Sequence, residues 1–214
     1  MSYCVRLMRQ EDVMQVTAID RESFPTMLPQ TNYQHELKNQ LAHYIVVYDD
    51  KKKKIPDEVG VAWEKTEQSL GFISKFIFRN KVAPLSGKQY VVGFAGFWIM
   101  AGEAHIINFA VQQFYRRKGI GELLLISLID LAIELKSLLI TLEVRASNTA
   151  ALSLYGKCGF SKTGLRRGYY SDDKEDAVIM TVENIDSASS QAHLSRLKQE
   201  HSRKWGVAIY QITR

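Results

Sequence analysis

Cysteine is scarce in this chain of 214 residues: Cys4 and Cys158 are the whole supply. Two cysteines this far apart make neither a disulfide framework nor a zinc site, and a reducing cytoplasm is the simpler setting. A long uninterrupted apolar run is also missing. The most apolar stretch, residues 120–135, is broken by Glu122, Asp130 and Glu134. It predicts a buried core helix rather than a membrane span. The opening residues, MSYCVRLMRQED, carry charge from position 6 and lack the apolar core of a signal peptide. No internal repeat is visible. The phosphate-loop pattern is absent, and the dinucleotide pattern G-x-G-x-x-G fails because position 124 is Leu124.

What is present is ordinary globular material. Hydrophobic residues at 46% and charged residues at 24% exclude a wholly disordered or fibrous chain. The net charge of +5 suits an acidic ligand such as a nucleotide-bearing cofactor, or a partner bound to RNA, without choosing between them. A strand is expected at 3–7. A helix follows with apolar Val13, Val16 and Ile19, ended by the Ser23-Phe24-Pro25 break. A second helix is expected at 33–41 and a β-branched strand at 43–48. The charge run 49–54 ends that strand, and residues 51–89 are hard to read: 59–70 reads as helix and 72–78 as strand or helix.

Residues 90–100 and 104–111 read as a central antiparallel hairpin. A long helix at 120–137 leads to a strand at 138–144, apolar almost throughout, as expected for burial on both faces. Ser147-Asn148 caps a short helix at 149–158, closed by Gly159. Two strands, at 160–165 and 177–182, complete a mixed α/β or α+β domain over 1–185. The tail, 186–214, reads as an appended amphipathic helix carrying Leu194, Leu197 and Trp205.

Two segments carry chemistry. In the first, Arg116-Arg117-Lys118-Gly119-Ile120-Gly121 lies between a strand and a helix. Glycines at 119 and 121 let backbone N–H groups approach a ligand with no Cβ in the way, and the helix start adds unpaired N–H groups and its positive dipole end. With three basic residues this makes a pyrophosphate cradle, although a plain basic helix start fits such a short motif as well.

In the second segment, Glu143 stands in the apolar strand LLITLEV, where a carboxylate is costly unless paired or used. Partial burial is expected to raise its pKa towards that of a general base. The bland alternative is a salt bridge to Arg145, two residues on and on the same face. Asn148 is a plain N-cap by position, and a contact to a ligand amide is compatible with that. Tyr155 reads as packing from spacing alone.

These stretches, RRKGIG, LEVRASNTAALSLYGKCGF and GYYSDDKEDAVIM, together resemble the ribosomal-protein alanine N-acetyltransferase branch of the GNAT superfamily. The resemblance is strong over 107–180 and weaker but in order over 3–48. It implies a GNAT fold: a mixed, mostly antiparallel twisted sheet flanked by helices, with a cofactor cleft between splayed central strands. It implies acetyl-CoA as co-substrate and no metal. By the resemblance, Phe109, Ala110 and Val111 pair with the pantetheine arm. Arg117, Lys118, Gly119, Ile120, Gly121 and Glu122 form the pyrophosphate loop, and Asn148 contacts the cofactor. Glu143 is the general base and Tyr155 the general acid, while a backbone N–H such as that of Val111 polarises the thioester carbonyl. Phe24 and Pro25 shape the acceptor site, and Tyr169 and Tyr170 are an aromatic pair near the peptide N-terminus. The implied partner is a protein or peptide N-terminus, a ribosomal small-subunit protein first, with neither membrane nor nucleic acid bound directly. Cys158 is expected to pack, and His105 to be structural or to face the peptide.

The chain departs from the pattern in three places. Gln112-Gln113 stands where the branch has proline, Thr26 follows Phe24-Pro25 where tryptophan is frequent, and 51–89 is an insertion. Two rival functions remain at this level: acetylation of a lysine or small-molecule amine, which Tyr169-Tyr170 would disfavour by narrowing the acceptor groove, and an acyl-CoA-binding module without turnover, which Glu143 with Tyr155 argues against.

Overall fold

The computed structural model describes residues 3–26, 29–50 and 89–212. The expected elements at 59–70 and 72–78 lie outside them. Along the chain run β1 (Tyr3–Leu7), a 3-10 turn (Gln10–Asp12), α1 (Val13–Ser23), α2 (Tyr33–Glu36), β2 (Ala42–Asp49), β3 (Tyr90–Met100) and β4 (Glu103–Val111). A second 3-10 turn (Gln113–Tyr115) leads to α3 (Ile120–Glu134), β5 (Leu139–Arg145), α4 (Thr149–Lys157), β6 (Ser161–Arg166), β7 (Ala177–Glu183), α5 (Ala188–Trp205) and β8 (Ile209–Gln211).

The strands form one sheet in the order β6-β7-β5-β4-β3-β2-β1-β8. It is mostly antiparallel; β4 with β5 and β1 with β8 are the parallel pairs. Strand alternation gives each face its own core. Ile45 and Val47 of β2 join the cluster under α3, whereas Tyr44 and Val46 join the one holding Val13, Val16 and Ile19 of α1 and Tyr33 of α2. In α3, Leu123, Leu124, Leu125, Ile126, Leu128 and Leu131 are all buried, each contributing about 1.5–3 kcal/mol. A helix covered on nearly every side must pair its acids. Glu122 accepts from Lys157 Nζ at 2.6 Å and Asp130 from Lys198 Nζ at 2.7 Å.

Three expectations need correction. The helix expected at 33–41 ends at Glu36, because Asn39 Oδ1 takes the Leu41 N–H at 3.0 Å and turns the chain out early. Strand β5 is not sealed on both faces: Ile140, Leu142 and Val144 are buried, while Thr141, Glu143 and Arg145 face a half-open side. The tail is no simple appendage. Leu194 and Leu197 of α5 enter the main core, and β8 then extends the sheet beside β1.

The entry to α1 hangs on a buried ion pair. Arg6 and Asp12, whose side chains are each 2% exposed, meet through Nη1–Oδ2 at 2.6 Å and Nη2–Oδ1 at 2.9 Å. Removing one member strands the other charge in the core. Asp12→Ala is therefore expected to lower stability by about 3–5 kcal/mol in urea unfolding, and a loss below about 1 kcal/mol would mean that water reaches Arg6.

Candidate active site

The central feature is a parting of strands. The β4–β5 ladder runs from Glu103–Leu139 to Ile106–Leu142 and stops. Beyond it β5 continues against β7 and β4 continues against β3, where the register slips between Gly96 and Phe97. Ile107 is the extra residue of that bulge, which bends and twists β4 where it leaves β5. Gln112 N–H is given to Val92 O at 3.0 Å on the β3 side. By the alternation of an antiparallel ladder, the backbone groups of Val111 and Phe109 then face the parted side.

Glu143 is the first residue of β5 past the parting. Its side chain is only 7% exposed, and it meets His105 Nε2 through Oε2 at 2.5 Å and Arg166 Nη2 through Oε1 at 2.9 Å. The alternative partner, Arg145, is taken elsewhere: it binds Asp172 at 2.7 Å, Asp173 at 2.8 Å and Glu175 at 3.0 Å. The direction of the pKa shift also corrects the sequence reading. Glu143 is held below the usual glutamate value, first by the His105 hydrogen bond and then by the charges of His105 and Arg166, which together outweigh the upward push of burial. Sequence reasoning missed both partners of Glu143. A periodic pattern shows that His105 and Glu143 each lie on a strand face, but only the β4–β5 register puts them on the same face at adjoining positions.

Tyr155 of α4 is 6% exposed and packs edge-on against Phe109 of β4, with ring centroids 6.0 Å apart, and against Phe160. Burial pushes its hydroxyl well above the usual tyrosine value, with Tyr170 and Cys158 adding to it, so it stays protonated. Cys158 is buried and its thiol pushed up to about 12, mainly by burial, which leaves it as packing.

The turn before α3 holds two left-handed residues, Arg117 (φ 62°) and Gly119 (φ 80°), and Gly119 is the N-cap of α3. The first N–H groups of α3 have no acceptor within the helix, so an anion is welcome at this end. Here the glycines serve the protein as much as a ligand. A Cβ on Gly119 would lie 2.6 Å from Cδ1 of Trp205, and one on Gly121 3.0 Å from Leu154 Cδ2. Ile120 is buried, so only its backbone can meet a ligand, and the Glu122 carboxylate is turned to Lys157. Arg116 gives its Nε–H to Val111 O at 3.1 Å, and Lys118 lies over the Tyr115 ring. Asn148 accepts from Ala151 N at 3.1 Å, confirming the cap.

A hydrogen bond joins the two loops that carry the expected acceptor-side residues. Tyr169 and Tyr170 stand edge to face at 5.3 Å, and the Arg145 guanidinium lies 3.9 Å over the Tyr170 ring. Thr26, next to Phe24 and Pro25, donates to Asp172 at 2.6 Å, joining the first loop to the Tyr169-Tyr170 loop. Phe24 is half-buried against the α1 core, and Pro25 is exposed. Among the described residues, no cluster of His, Cys, Asp or Glu is placed to hold a metal ion, and no helix is long and apolar enough to cross a membrane.

Residues 13–160 match the Acetyltransferase (GNAT) family, and the chain belongs to it. It is therefore a GNAT-type N-acetyltransferase, and acetyl-CoA is the donor that this family uses. A Bacillus subtilis protein provisionally named ribosomal protein bS18-alanine N-acetyltransferase is 32% identical over 179 residues, 83% of this chain and 93% of that one. The crystal structure of the Escherichia coli ribosomal-protein-S18-alanine N-acetyltransferase superposes with a TM-score of 0.59 at 22% identity, covering 85% of this chain and 94% of that one. Arabidopsis thaliana NAA60 in complex with acetyl-CoA gives a TM-score of 0.65 at 15% identity, covering 87% and 100%. These last two speak for the fold.

The two side chains held against Glu143, His105 and Arg166, give a test of the site's electrostatics. Removing His105 removes the larger downward influence and leaves burial opposed by Arg166 alone. In His105→Phe the Glu143 carboxyl is expected to titrate at higher pH than in the parent chain, read by carbon-detected NMR. In the parent, the stabilisation from this pairing is present above the ordinary glutamate pKa and is lost only as pH falls through the depressed folded value. An unchanged titration in His105→Phe would show that His105 does not set the charge of Glu143.

Proposed function

We propose that this chain acetylates the α-amino group of a protein N-terminus, with an alanine-initiated ribosomal small-subunit protein as first acceptor. The carrying observation is the position of Glu143, a buried carboxylate at the fork where β4 leaves β5. The fit of acetyl-CoA to this chain rests on the backbone of Phe109 and the N–H of Val111 for the pantetheine arm and on the Gly119 end of α3, with Arg117 and Lys118, for the pyrophosphate. Asn148, at the start of α4, adds a polar contact. The acceptor chain enters past Tyr169, Tyr170 and the Phe24-Pro25 loop. The name of the Bacillus subtilis relative supports the choice of alanine and of a ribosomal protein.

Glu143 takes the proton from the incoming ammonium, directly or through a water, and its depressed pKa keeps it ionised for that purpose. The Val111 N–H donates to the thioester carbonyl as negative charge develops there. Tyr155, held protonated by burial, gives its proton to the departing thiolate of CoA. The ammonium thus loses two of its three protons: one goes to Glu143 before attack, and one leaves as the tetrahedral intermediate collapses and restores the proton that Tyr155 gave to the thiolate. The nitrogen gains the acetyl group and keeps one proton as the amide N–H, and CoA leaves as the neutral thiol.

A short peptide with a free N-terminal alanine is expected to release CoA thiol from acetyl-CoA, and the same peptide with a blocked amine to release none. Glu143→Gln and Tyr155→Phe should each lower kcat by about 10²–10⁴-fold, the usual worth of a positioned acid or base. Release only with N-blocked lysine peptides or small amines would move the acceptor to another class. Full activity in Glu143→Gln would remove that residue from the mechanism.

A further inference from the structure

The C-terminal helix reaches back to the loop that opens α3. Trp205, the last residue of α5, is set so tightly against Gly119 that a Cβ there would lie 2.6–2.7 Å from its Cδ1, Cγ and Nε1 atoms. One turn earlier His201, 4% exposed, places Nε2 3.0 Å from Gly119 O. A carbonyl only accepts, so Nε2 carries the hydrogen, and burial keeps the imidazole towards its neutral form. The same carbonyl accepts the Leu123 N–H at 3.0 Å.

Two donors and a ring therefore fix one peptide plane. Because the peptide is planar, holding Gly119 C=O also sets the direction of the Ile120 N–H on its other side. That N–H is the first of those left free at the start of α3, where an anion binds. The Trp205 indole N–H is buried without a hydrogen-bond partner among the described residues, so shape rather than polar pairing holds the ring. Its backing is rigid. Leu194 and Leu197 are in the core, Lys198 is paired to Asp130 of α3, His193 Nε2 lies 3.2 Å from Lys157 O, and β8 joins β1 directly after the helix.

We propose that α5 is a positioning element for the acetyl donor, with Trp205 and His201 holding the Gly119 peptide so that the helix start presents its N–H groups to the donor's pyrophosphate. The proposal rests on the reading of residues 116–121 as the pyrophosphate cradle. Neither side chain touches the reacting atoms; both act through Gly119.

The test compares two donors on the full chain. Acetyl-CoA carries the pyrophosphate, and acetyl-pantetheine carries the same thioester without it. In Trp205→Ala and His201→Ala the KM for acetyl-CoA is expected to rise on the order of tenfold, about the worth of one charge-assisted hydrogen bond. The kcat and the KM for the acceptor peptide should hold, and kcat/KM with acetyl-pantetheine should match the parent. Trp205→Phe, which keeps a ring on Gly119, should recover most of the loss. An unchanged KM for acetyl-CoA overturns the proposal, as does an equal loss with both donors, which would make α5 a general support of the fold. A parent chain that binds no acetyl-CoA in calorimetry would instead defeat the cradle reading itself.

Discussion

The β4–β5 ladder ends after four pairs, and the site depends on that ending. Had the parallel pairing run on past Ile106 and Leu142, the backbone of Phe109 and Val111 would be spent on β5, and Glu143 would be shut inside a closed sheet. The bulge at Ile107 supplies the bend, and β3 and β7 keep the two parted strands from fraying by pairing each on its outer side. The sheet thus tolerates a row of backbone groups without strand partners in its middle, which is costly in a buried sheet and reasonable where a ligand completes the ladder.

The same fork decides the electrostatics. A carboxylate here would ordinarily be expected to rise in pKa by burial. Instead His105, the residue before the last β4–β5 pair, and Arg166 from the edge strand β6 reach it from two sides and reverse the sign. A carboxylate so held accepts a hydrogen bond from an ammonium readily and takes its proton less readily. On the proposed acceptor this matters little, since an α-amino group has a pKa of about 7.7–8.0 and is already partly free near neutrality. A lysine side chain, at about 10.4, would ask for roughly 2.5 units more, or about 3.4 kcal/mol. On the proposed reading, the charge balance around Glu143 suits an N-terminal amine better than a lysine side chain.

The order of elements was legible in the sequence because periodicity and caps are local. Asn148 caps α4 as its position indicated, and Gly159 closes it with φ at 96°. The candidate residues at 109–111, 117–122, 143, 148 and 155 were singled out together by the resemblance of three stretches to one family, whereas spacing alone left Tyr155 as packing and Asn148 as a plain cap. The partners of Glu143 were not legible, because the pairing of His105 with Glu143 is a matter of register across 38 residues. The short α2 escaped because one side-chain hydrogen bond, Asn39 to Leu41, outweighed the helical spacing of the residues around it. The openness of β5 on its Thr141 face was hidden by a composition that reads as wholly buried.

The tail shows why a local reading of glycine is incomplete. At Gly119 the sequence suggests a residue kept small for a ligand's phosphates. The positive φ makes glycine favourable there whatever surrounds it, and the contact that forbids a Cβ comes from Trp205, 86 residues downstream. Nothing within the motif RRKGIG foretells that contact. It becomes visible only when α5, which reads in the sequence as an appended amphipathic helix, is seen to spend Leu194 and Leu197 on the main core and its end on the helix start. A segment that buries itself against the first turn of α3 constrains the shape of that turn, whether or not a ligand is bound.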